Sequence, residues 1–158
     1  MGNKMTVIVF SGDMDKAMAA FNLAIGGASM GLEVTMFFTF WGLNIIRKNS
    51  APVAGKGWLQ KMLNRLNRGG SQRLPLSRFH MLGLGKWALG QLMRQAKFPP
   101  VEELLSMAKG LGVKFVACTT SMGIMGLTKE DFLPDVDNFA GVATYLGDAT
   151  QGQVNLFI

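Results

Sequence analysis

The sequence is short of the residue types that build most active sites. Its 158 residues hold one cysteine, one histidine and one tyrosine. A single cysteine cannot close an internal disulfide, which excludes a disulfide-stapled secreted fold. One Cys and one His cannot complete a tetrahedral sulfur and nitrogen site within one chain, so no metal is expected, and no motif calls for another cofactor. A lone thiol also excludes an intramolecular dithiol relay. His80 lies in a different part of the chain from Cys118, so a Cys–His hydrolase pair would require that segment to fold back. "GLGKWALG" and "GGASMG" match neither a Walker loop nor a dinucleotide fingerprint in the required strand–turn–helix setting.

Long membrane-spanning runs are missing too. Between Lys16 and Arg47 only Glu33 is charged. Asn22, Ser29 and Glu33 interrupt this stretch, and Gly26, Gly27 and Gly31 cluster at its middle. That texture reads as a buried helix followed by a buried strand rather than a span. The start, "MGNKMTVIVFSGD", lacks the basic end, apolar middle and cleavage site of a signal peptide, so a reducing cytoplasm is the expected setting. "MGNKMT" matches the N-myristoylation pattern through Gly2 and Thr6. Gly2 directly precedes a strand-like run, and the short pattern carries little weight.

Acidic residues are absent from one long segment. Residues 51–98 contain nine Lys/Arg (Lys56, Lys61, Arg65, Arg68, Arg73, Arg78, Lys86, Arg94, Lys97) and no Asp or Glu. The rest of the chain holds seven Lys/Arg and all ten acids, a net of −3 against +6 overall. The basicity of the protein therefore resides in one place.

About half of the residues are apolar, enough for a real core in one domain. "KMTVIVF" (Lys4–Phe10) and "LEVTMFFTF" (Leu32–Phe40) read as strands buried on both faces. Between them lies a helix that fades at Gly26–Gly27 or Gly31, with Ser11 or Asp13 as its cap and Asp15 favourable in its first turn. Within 49–98, Gly57–Arg68 and Leu84–Lys97 carry apolar residues at helical spacing, so this insertion is expected to form two short basic amphipathic helices. "FPPVEELLSMAKGLG" is a well-formed helix sequence. Val113–Cys118 is a third strand, followed by a turn or short helix to Leu127. Thr128 and Asp131 resemble a capping box. Val136–Ala140, Gly141–Ala149 and Val154–Ile158 read as strand, helix and strand. Alternation of strands and helices implies a parallel sheet covered on both faces.

In such a fold, ligands gather at the carboxyl ends of the strands. Ser11, Gly12 and Asp13, then Thr39 and Trp41, then Cys118, Thr119, Thr120 and Ser121 occupy those ends. They are the candidate site. Cys118 ends its strand just before a helix start, where free N–H groups favour a thiolate. Thr119 to Ser121 would supply N–H and hydroxyl donors. At this level two readings stand side by side, a reactive thiol and a buried cysteine acting as a small hydrophobe. Asp13 reads more readily as a helix cap than as a catalytic carboxylate, and Trp41 as packing or an interface residue.

"SGDMDKAMAAFNLAIGGASMGLEVTMFFTFWGL", "LPLSRFHMLGLG", "ACTTSMGIMGL" and "GVATYLGDATQGQVNLFI" together resemble the DsrE/DsrF-like superfamily. The resemblance is strongest to the branch with a long basic insertion, grouped with sulfurtransferases or peroxiredoxin-like proteins. It implies a flavodoxin-like α/β domain over residues 1–158, with helices on both faces and a helical basic insertion at about 49–98. It implies homo-oligomers and sulfur trafficking, in which a cysteine carries a persulfide between donor and acceptor proteins such as TusA-like carriers. By motif that cysteine is Cys118. The peroxiredoxin name finds no support, since neither a peroxidatic Thr–x–x–Cys sequence nor a resolving cysteine is present. Whether transfer is enzymatic stays open. The alternative expectation is a non-catalytic scaffold whose insertion, residues 51–97, docks on a membrane surface or an acidic partner. Nucleic acid ranks last, because Trp58, Phe79 and Trp87 sit in no recognisable recognition fold.

Overall fold

In the computed structural model, which describes residues 3–158, the expected strands pair into one sheet. Gly2, the acceptor of the myristoylation pattern, lies outside the described residues. β1 (Lys4–Val9), β2 (Glu33–Phe38), β3 (Lys114–Cys118), β4 (Asn138–Ala140) and β5 (Gly152–Phe157) form a parallel sheet in the order β4-β3-β2-β1-β5. The helices are α1 (Met14–Ser29), α2 (Trp58–Leu66), α3 (Leu84–Gln95), α4 (Val101–Gly110), α5 (Thr119–Met125) and α6 (Val142–Ala149). The architecture is α/β with helices on both faces of the sheet.

The connectivity explains the two faces. β1 to β4 step across the sheet in one direction, and the chain then returns to place β5 beside β1. A right-handed crossover made in the opposite direction puts its helix on the opposite face. The alternation along β2 follows suit. Val34, Met36 and Phe38 join the main core with α1 and α4, whereas Phe37 packs with Val116, Cys118 and Tyr145 of α6. At the centre of the main core, Phe21 and Phe38 lie 5.9 Å and 5.5 Å from Phe115 between ring centroids, both edge-on.

α1 continues through the Gly26–Gly27 pair to Ser29, beyond the earlier of its expected ends. Its inner face is made of Ala17, Ala20, Ala24 and Gly27, so it lies close against the sheet. A Cβ on Gly27 would come within 2.5 Å of Met5 Sδ. The chain turns instead at Gly31, whose φ of +85° an L side chain rarely adopts. Asp13 stands at the N-cap position of α1, but its carboxylate takes no helix N–H. It accepts a hydrogen bond from Ser11 Oγ at 2.9 Å and pairs with Lys16 at 3.2 Å. The expected side-chain cap is thus replaced by a backbone one, because the Met14 N–H donates to the Pro75 carbonyl at 2.7 Å.

Pro75 belongs to the insertion, which is ordered and fastened to the sheet domain at several points. Leu74 is buried in the main core. The Ser77 N–H and hydroxyl both donate to the Asp15 carboxylate. The Gly70 N–H donates to the Asn44 carbonyl at 2.8 Å. Asn44 lies in a buried 3₁₀ helix, Phe40–Ile46, that leaves β2. Arg47, just beyond it, is buried and donates to Asn44 Oδ1 at 3.2 Å. Burial pulls the Arg47 pKa down while the Asp131 carboxylate pushes it up, with a net lowering. Thr128 and Asp131 form the capping box foreseen for them.

α2 is amphipathic but inside out. Its polar Asn64 is buried and donates to the carbonyls of Ala54 and Met125 at 3.0 and 2.8 Å. Gln60, on the same side, donates to the Ile124 carbonyl at 3.2 Å. The apolar residues Trp58, Leu59, Met62 and Leu66 are all exposed.

Candidate functional site

Cys118 ends β3 and occupies the N-cap position of α5. It is only 5% exposed and packs among Phe37, Val116 and Tyr145. Its register partner on β4 is Ala140. The thiol is therefore a packing residue in a small aromatic cluster and at the same time the terminus of a strand.

Two opposing influences act on it. Burial disfavours the thiolate. The backbone N–H of Ser121, the hydroxyls of Ser121 and Thr39, and the N–H of Thr120 all favour it, and together they prevail. The Cys118 pKa accordingly lies below the ordinary thiol value. Thr39 follows β2, the strand beside β3, so the sheet itself delivers its hydroxyl. Thr39 Oγ1 and Ser121 Oγ share a hydrogen bond at 2.8 Å. Ser121 is buried, so neither hydroxyl is free to turn into bulk water without breaking that bond. An arrangement of this kind can hold a sulfur anion, either a thiolate or a longer sulfur chain, against N–H and O–H donors.

Of the residues singled out in sequence, Cys118, Thr120, Ser121 and Thr39 come together. Thr119 is exposed, with its hydroxyl near Gly141, and is not among the groups that act on the thiol. Ser11, Gly12, Asp13 and Trp41 line a separate cavity of about 150 Å³, completed by Asn44, Asn67 and Pro75. Cys118 does not line it. Gly12 packs so tightly on this loop that a Cβ there would come within 2.6 Å of the Trp41 carbonyl oxygen. His80 sits at an exposed turn of the insertion, where Nδ1 accepts the Leu76 N–H at 3.4 Å. It is not among the groups that act on Cys118.

Asn44, Asn67 and Tyr145 escaped the sequence reading. Nothing in an isolated Asn marks it as a wall of a cavity. Tyr145 had a weak signal, being the lone tyrosine in a helix that follows a short strand. Its hydroxyl meets the buried Thr6 hydroxyl at 3.1 Å, which seats α6 over the sheet and closes the cluster around Cys118.

An aromatic group lies beside the strand ends. Phe10 sits 5.5 Å from Phe40 and 5.8 Å from Phe157 between centroids, and all three are exposed. Phe40 has a φ of 47°, a left-handed conformation that costs roughly 1–3 kcal/mol in a bulky residue.

Fold and site together define a parallel α/β domain with a lone, donor-surrounded thiol at a strand's carboxyl end. The chain belongs to the DsrE/DsrF/DrsH-like family, whose profile matches residues 2–157. It is 43% identical over 155 residues to YrkE of Bacillus subtilis, covering 98% of this chain and 96% of that one. It is 28% identical over 162 residues to the protein named sulfur carrier protein DsrE2 of Allochromatium vinosum, covering 98% of each. In three dimensions it is similar to the YchN protein of E. coli, with a TM-score of 0.58 over the full length of both chains. At 12% identity that likeness concerns the fold alone.

Proposed function

We propose that this protein carries sulfane sulfur as a persulfide on Cys118 and passes it to a partner protein. The observation that carries the proposal is the set of donors around Cys118, namely the Ser121 and Thr120 N–H groups and the Ser121 and Thr39 hydroxyls. The name of the Allochromatium relative, a sulfur carrier, supports it.

The chemistry is a transfer without net oxidation. The Cys118 thiolate attacks the terminal sulfur of a donor persulfide. A new S–S bond forms at Cys118, the donor's S–S bond breaks, and the donor leaves as its thiolate. A persulfide is more acidic than the parent thiol, so its terminal sulfur is held as the anion, and the same donors stabilise it. An acceptor thiolate then repeats the attack on that terminal sulfur and regenerates Cys118. Donor and acceptor are protein thiols of the TusA-like kind, and the setting is a reducing cytoplasm. The working form is a homo-oligomer of this single domain. Val142 and Leu146 on α6, with Phe10, Phe40 and Phe157, offer exposed apolar surface for assembly or for docking a partner.

Mass spectrometry after incubation with polysulfide tests the proposal. The wild type gains one sulfur mass that dithiothreitol removes, and Cys118→Ser gains none. An adduct that persists in Cys118→Ser, or none on the wild type, rejects it.

A further inference from the structure

We infer that α2 is a surface anchor that lies on an anionic lipid bilayer, with its outward apolar stripe in the acyl boundary. This helix is inverted, with its polar side chains inward and its apolar stripe outward. At 3.6 residues per turn, Trp58, Met62 and Leu66 stack at i, i+4 and i+8, and Leu59 extends the same stripe. Trp58 is 76% and Leu66 81% exposed. Gln60 and Asn64 face the protein and are satisfied there by the carbonyls of Ile124, Ala54 and Met125. A helix that served only as packing would turn the other way. Here its inward polar side chains fix the helix so that the apolar stripe points out.

The same insertion repeats the pattern further on. Phe79, Met81 and Leu82 have φ of 56°, 37° and 55°, left-handed values for three bulky residues within four positions. All three side chains are exposed, as are Leu84 and Trp87. Strain of this kind persists where the surrounding structure enforces it, and it often marks a working surface. Large exposed apolar side chains gathered on one segment mark a surface that meets a partner.

Charge selects the partner. Lys61 and Arg65 flank the α2 stripe, and the insertion as a whole holds nine cations and no acid. A protein groove usually pairs mixed charges, and a second copy's identical face would repel this one. A uniformly negative lipid surface complements it, with each Lys or Arg near that surface contributing about 1 kcal/mol. Tryptophan at the start of the stripe suits the headgroup level. Among the described residues no helix is long and apolar enough to cross a membrane, so the contact is peripheral.

The test is co-sedimentation of the full chain with phosphatidylcholine vesicles, with and without phosphatidylglycerol. The expected result is binding to the anionic vesicles alone, weakening as salt rises. Binding drops about tenfold or more in Lys61→Gln/Arg65→Gln, and also drops in Trp58→Ser/Leu66→Ser, with an unchanged circular dichroism melt in each. Persulfidation of Cys118 is unchanged in both, which separates this inference from the sulfur-carrier reading. Equal binding to neutral vesicles, no binding to either kind, or full binding by both variants overturns it. So does self-association in sedimentation velocity that the Trp58→Ser/Leu66→Ser pair abolishes while vesicle binding is absent, since that assigns the face to a second copy.

Discussion

Thr39 and Ser121 join the ends of two neighbouring elements through one hydroxyl–hydroxyl hydrogen bond of 2.8 Å, and both hydroxyls act on the Cys118 sulfur. The first of them follows β2 and the second lies in the first turn of α5, so the bond ties β2 to α5 beside the end of β3.

Removing either hydroxyl raises the thiol pKa. Iodoacetamide alkylation followed against pH is expected to give a midpoint below the ordinary thiol value of about 8.5, moving upward in Ser121→Ala and in Thr39→Val. The Ser121 and Thr120 N–H groups remain in both variants and still oppose the burial that pushes the thiol up. The linkage has a definite sign. The folded-state pKa is depressed, so the thiolate's contribution to stability is complete above the unfolded value and is lost as pH falls through the folded one. Against Cys118→Ser, the wild type gains melting temperature from neutral to mildly alkaline pH, by differential scanning fluorimetry.

Gly42→Ala is expected to destabilise the fold by about 3 kcal/mol. A Cβ at that position would fall onto the Val9 carbonyl oxygen, and the Gly42 N–H donates to the Phe10 and Thr39 carbonyls. The backbone that gives way is therefore the one carrying Thr39. Urea unfolding gives the loss, and alkylation kinetics show a raised thiol pKa in the same variant.

Asp131→Asn keeps the acceptor oxygen for the Thr128 N–H but removes the charge that faces buried Arg47. Arg47 Nε already lacks a hydrogen-bond partner in a buried position. The expected cost is about 1–3 kcal/mol in urea unfolding, larger than for the exposed Asp135→Asn made as a control.

Asn64→Ala leaves the Ala54 and Met125 carbonyls without their donor. The expected loss is about 2 kcal/mol. Amide exchange across Trp58–Leu66 accelerates more than across α1, because one of those bonds ties α2 to Met125 of α5 and the other ties it to the segment that precedes it.

Most of the sheet is legible in the sequence. Parallel strands buried on both faces are written as unbroken apolar runs, and "KMTVIVF", "EVTMFF" and "KFVAC" carry that signal with little competition. The position of Cys118 at a strand end follows from the same runs. Its contact with Thr39 does not, because it depends on β2 and β3 being neighbours in the sheet. Ser11, Gly12, Asp13 and Trp41 share the strand-end level with Cys118, yet the insertion draws them into a different cavity through Asn67 and Pro75. The orientation of α2 was the least legible element. Periodicity identifies an amphipathic helix but not which side faces in, and the usual assumption of apolar-in fails where inward carbonyls have a Gln and an Asn to satisfy them.

The Pro75 carbonyl that caps the start of α1 has a consequence for how this protein can be dissected. Excising residues 51–97 removes the acceptor for Met14, the partner of Asp15, and the cover over Arg47 and Asn44. The shortened chain would carry a frayed helix and an uncovered guanidinium, so its failures would report on damaged architecture. Genetic or biochemical separation of the two halves of this molecule therefore has to work from its outer face inward, by point substitution, because the insertion is a co-folded part and not a detachable module.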